Sequence, residues 1–85
     1  MEEIYRILEE KIKAAGYPYE ISGMEIYDEI CDEIDGKENG SYICMVKKEG
    51  NIHFEYHIQI MDEKFNLSRI NIVDGDKITS VDFDQ

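Results

Sequence analysis

Eighty-five residues with 42% hydrophobic content leave room for one core, so residues 1–85 are expected to form a single acidic α+β domain. A net charge of −11 opposes direct contact with nucleic acid or anionic lipid, and no stretch approaches the roughly 20 apolar residues of a membrane span. Met1-Glu2-Glu3 is acidic where a secretory leader would be basic, and the expected location is therefore cytoplasmic.

The first predicted helix covers residues 2–15. Ile4, Leu8, Ile12 and Ala15 recur at helical spacing, with Met1 and Tyr5 beside them. Glu2 and Arg6, and Glu9 and Lys13, have the favourable order for i,i+4 pairs. Gly16 suits the position after the helix, and Tyr17-Pro18 prevents its continuation.

Ser22-Gly23-Met24-Glu25 reads as a capping box that opens a second helix, with Ile21 and Ile26 spaced as a hydrophobic staple. This helix is expected to run to Ile34 and to stop at Asp35-Gly36. Between Glu25 and Asp35 it carries six carboxylates and no base. At about 100° per residue, Glu25, Asp28, Glu29, Asp32, Glu33 and Asp35 all fall within one arc. Met24, Ile26, Tyr27, Ile30, Cys31 and Ile34 fill the opposite one.

Charge is concentrated there. Residues 16–40 hold eight acids against Lys37 alone, whereas residues 41–61 are neutral. Spread along the helix, the carboxylates amount to about one charge per 2.5 Å, approaching the one per 1.7 Å of duplex DNA. Like-charge i,i+4 pairs and acids near the helix C-terminus work against the helix itself, by about 1–3 kcal/mol in all.

From residue 40 the apolar period changes to two. Tyr42–Val46 is apolar on both parities, which predicts a central strand or one buried on both faces. After a turn at 48–51, Ile52, Phe54, Tyr56, Ile58 and Ile60 alternate with His53, Glu55, His57 and Gln59, a half-buried strand. Asp62-Glu63 turns into a third strand over 64–73. There Phe65 and Leu67 occupy one parity and Ile70 and Ile72 the other, so a bulge is expected near Ser68-Arg69. Asp74-Gly75 marks a last hairpin into a strand over 77–83. The expected fold is α+β (ααββββ), with two N-terminal helices packed on one face of a four-stranded antiparallel β-meander.

Few residues suggest chemistry. His53, Glu55 and His57 point to one side of their strand, and alternating His can ligate zinc, but one strand cannot complete a coordination sphere. These three are the weak metal candidates, and the expectation is no metal and no cofactor. Asp35–Gly40 puts Lys37 where a calcium loop needs a ligand, which excludes a site of the EF-hand type. No serine has a nucleophile-elbow context, no glycine-rich loop cradles phosphate, and Cys31 and Cys44 form no C-x-x-C motif. Two buried reduced thiols and no enzymatic activity are expected.

The expected function is a non-catalytic binding module. Asp28, Glu29, Asp32, Glu33 and Asp35 would dock on a basic surface of a partner protein, such as a nucleic-acid-binding one. Inhibitors, immunity-type proteins and nucleic-acid mimics work in this physical manner. The alternatives are a small metal-binding domain on the His53-Glu55-His57 face, and a homodimer through an edge strand, Lys77–Phe83.

Overall fold

The computed structural model describes residues 2–83, with backbone only for Glu2. Met1 lies outside the described residues, as does the Glu2 side chain on which the pairing with Arg6 rests. The element order is α1 (Glu2–Ala14), α2 (Gly23–Ile34), β1 (Gly40–Lys47), β2 (Ile52–Met61), β3 (Lys64–Asp74) and β4 (Lys77–Asp82). This is the expected ααββββ order. The chain divides into two compact units, Met1–Gly36 and Lys37–Gln85.

In the helical unit, Leu8 and Ile12 of α1 and Ile26 and Ile30 of α2 are buried. Ile4, expected on the buried stripe, is largely exposed, and Ala15 lies beyond the helix end. Gly23 explains how closely the helices approach. A Cβ there would fall on the backbone carbonyl of Tyr5, so only glycine fits at the start of α2. Tyr5 and Tyr27 meet edge to face, with centroids 5.7 Å apart.

The second unit is one antiparallel sheet of order β1-β2-β3-β4, with every neighbour joined by a short turn. Phe54, Tyr56, Ile58 and Ile60 of β2, with Ile70 and Ile72 of β3, Val81 of β4 and Cys44 of β1, are buried. The register slips between His57 and Ile58, leaving Ser68 opposite no residue. That bulge returns Phe65 and Leu67 to the side of Ile70 and Ile72, as the parity switch required.

One expectation fails here. β1 is neither central nor buried on both faces; it is an edge strand, and only Cys44 in it is buried. Its second apolar parity, Ile43 and Met45, faces outward beside His57 and Glu55. A run of apolar residues reports low polarity on both faces, but it does not report whether anything covers them.

The two-residue turn Asp62-Glu63 has φ of 52° and 68°, the type I′ signature, though neither residue is glycine or asparagine. The Asp62 amide donates to Asn39 Oδ1 at 3.1 Å, tying the turn to the segment that leads into β1.

Candidate functional site

The acidic face is built by the start of α2. Ser22 is the N-cap in extended conformation, and its hydroxyl accepts from the Glu25 amide at 3.3 Å. The Gly23 amide donates to Glu9 Oε2 of α1 at 2.8 Å. A carboxylate from the neighbouring helix thus serves an orphan amide at the positive end of the dipole. At the other end Asp35 is the C-cap, Gly36 adopts φ of 80°, and the last turn contains no base. These two ends fix the rotation of α2: Ile26 and Ile30 turn inward and the carboxylates outward.

Of the predicted docking residues, Asp28, Asp32, Glu33 and Asp35 are exposed along α2, and Glu29 is half-buried. Glu25 is exposed and belongs to the cap. Lys37, the sole base between residues 16 and 40, has its ammonium 5.5 Å from the centroid of the Tyr42 ring. The Tyr42 hydroxyl in turn donates to the Glu38 carbonyl at 2.7 Å.

Cys31 records the field of this face. Burial raises its thiol pKa, and the neighbouring Asp28 and Asp32 carboxylates raise it further. Tyr27, one turn earlier, is also raised, by burial first and then by Cys31 and Tyr5. The expectation of two buried thiols is met by Cys44 alone, because Cys31 sits half-exposed at the border between the two arcs. Neither Cys31 nor Cys44 is in a disulfide.

No known family model, curated protein or solved structure matches this chain.

The second candidate group lies on the outward face of the sheet. The register sets Lys47 opposite His53, Met45 opposite Glu55 and Ile43 opposite His57. Cys44, which would have been the good additional ligand, pairs with Tyr56 on the other face. His53 Nε2 is 3.5 Å from Glu55 Oε2. His57 Nε2 is 3.3 Å from Asn71 Nδ2, while the Ser80 hydroxyl donates to Asn71 Oδ1 at 2.8 Å. The Asn71 side chain touches both neighbouring strands, through its oxygen to Ser80 and its nitrogen to His57. Ser80, Asn71 and His57 thus form a polar line across three strands. Among the described residues no three His, Cys, Asp or Glu side chains gather closely enough to hold a metal ion. Sequence reasoning missed Asn71 and Ser80, because their link to His57 depends on cross-strand register and not on spacing along the chain.

Among the described residues no helix is long and apolar enough to cross a membrane. A cavity of about 670 Å³ in the helical unit opens beside the turn between the helices and is lined in part by Tyr17, Tyr19 and Glu20.

Proposed function

We propose that this chain is a non-catalytic, acidic protein-binding module whose α2 face docks on a basic surface of a partner protein, in the manner of an inhibitor, an immunity protein or a nucleic-acid mimic. One observation carries this reading: Asp28, Asp32, Glu33 and Asp35 stand exposed along α2 with no base in its last turn. A helix end in that state is held against its own dipole, and a cationic surface would relieve both the dipole and the like-charge repulsion.

The physical course of docking follows. The acidic field attracts a basic patch from beyond contact range, raising the encounter rate. On contact, carboxylates replace counter-anions or nucleic-acid phosphates around Arg and Lys side chains, with two-pronged carboxylate–guanidinium pairs as the strongest contacts. Glu29, half-buried, has less surface left to cover than its exposed neighbours. Cys31 and Cys44, neither of them in a disulfide, accord with a reducing, cytoplasmic setting.

The experiment is capture from a lysate of the native host on the immobilised chain at low and high salt. A basic, nucleic-acid-binding protein retained at low salt and released at high salt is the expected result. Identical capture by wild type and by an Asp32→Lys/Glu33→Lys variant would remove α2 from the account.

A further inference from the structure

The outward face of the sheet has a composition unlike that of the rest of the chain. Ile43, Met45, Met61 and Ile78 are 65, 61, 58 and 67% exposed, and they are the large apolar side chains of the sheet unit that stay so open. The register puts all four on the His53-Glu55-His57 side. Ile43 and Met45 pair with His57 and Glu55, Met61 pairs with Lys64, and Ile78 reaches His53 through Val73. Around the polar line of His57, Asn71 and Ser80, the borders of this face are therefore apolar.

Charge sets the face apart as well. It carries Lys47, Lys64 and Arg69 against Glu55 and Asp82, a net of +1 in a chain of −11. Of these, Arg69 and Asp82 already form an ion pair at 2.7 Å.

We propose that this open sheet face is the interface of a homodimer, two copies meeting face to face. Two copies approaching through any surface that includes α2 would set carboxylate against carboxylate. Through the sheet face they bring together near-neutral surfaces whose apolar borders lose water. A basic foreign protein is drawn to α2 and not to this near-neutral face. The area is adequate for reversible pairing. Four strands at about 4.8 Å spacing and about 27 Å of β2 present roughly 500 Å² per copy, near the 1,000 Å² total at which specific interfaces begin. The dimer is a reversible one. It uses the face of the sheet and leaves the backbone edges of β1 and β4 free.

The dimer and the docking reaction respond to salt with opposite signs, so each can fail without the other. Salt screens the mutual repulsion of two acidic chains and tightens the dimer, while it weakens docking on a basic partner. The test is sedimentation equilibrium of the full chain from about 0.05 to 0.5 M salt. It compares wild type with Ile43→Thr/Met45→Thr/Ile78→Thr, neutral changes to a good strand former. Far-UV circular dichroism checks that the variant stays folded, and Ile4→Thr/Ile7→Thr on α1 serves as the control. The expected result is a dimer that strengthens with salt, is weakened about tenfold or more by the sheet variant, and is unchanged by the control. A monomer at every salt concentration would overturn the proposal. So would a dimer indifferent to the sheet variant, as edge-strand pairing would give, or one broken by the α1 control.

Discussion

Reversing two charges on α2 should make the protein more stable while destroying its docking. Asp32 lies four residues after Asp28, and Glu33 four after Glu29, so each takes part in a like-charge pair. Both sit in the final turn of a helix that ends at Ile34 and has no base there. Asp32→Lys turns one repulsive pair of about 0.2–0.5 kcal/mol into an attractive one of similar size, and Glu33→Lys does the same. Each also replaces an unfavourable dipole contact of about 0.3–1 kcal/mol with a favourable one. Both side chains are exposed, so solvent screening holds these values toward their lower ends. The double variant should gain about 1–2 kcal/mol, which in a domain this small raises Tm by about 5–15 °C. Thermal denaturation followed by circular dichroism at low and at high salt measures it, and the gain should shrink as salt rises. A lower or unchanged Tm at low salt would show that the carboxylates are not held against the preference of the helix. A cationic partner would then have no strain on α2 to relieve.

Four further outcomes follow from particular contacts. Gly23→Ala places a methyl group on the Tyr5 carbonyl and should cost more than about 2 kcal/mol by urea denaturation, whereas Gly36→Ala, with open space but φ of 80°, should cost only about 1 kcal/mol; equal costs would refute the close approach of α1 and α2. Glu63→Gly relieves a left-handed residue in the type I′ turn and should stabilise by about 1 kcal/mol, a gain that disappears if the turn does not adopt this geometry in solution. Cys31 and Tyr27 have raised pKa values, so the folded state favours their neutral forms; the stability they contribute is complete at neutral pH and lost as pH climbs through their folded values, from about pH 9 upward. Neutralising Asp32 as Asp32→Asn should lower the Cys31 pKa and speed its alkylation at mildly alkaline pH, and an unchanged rate would contradict the field assigned to the acidic face.

The elements themselves were legible because local chemistry sets them. Ser22 with Glu25, Gly36 after Asp35, and the alternation from Ile52 to Ile60 each specify backbone states that no distant contact overrides. Even the bulge at Ser68 was readable, since Phe65 and Leu67 cannot share a buried face with Ile70 and Ile72 without an inserted residue. The role of β1 was not. Tyr42–Val46 has the composition of a buried strand, and its edge position follows from strand order, which a local pattern does not encode. The second service at the head of α2 was equally hidden: Glu9 reads in sequence as an i,i+4 partner of Lys13, yet its carboxylate accepts from Gly23, fourteen residues on. The acidic arc was legible in part: helical periodicity assigns Asp28, Asp32 and Glu33 to one exposed side, whereas Glu29 is half-buried and Asp35, the C-cap, has left the helical backbone.

The most direct test compares two variants of equal net charge. Asp32→Lys/Glu33→Lys alters the α2 face, and Glu49→Lys/Asp76→Lys makes the same change of charge on exposed turns of the sheet unit. Partner affinity is then measured for both against wild type at low salt. If α2 is the docking surface, the first variant loses the partner and the second keeps most of its affinity. Equal losses in the two would mean that total charge, and not the arrangement on α2, governs binding.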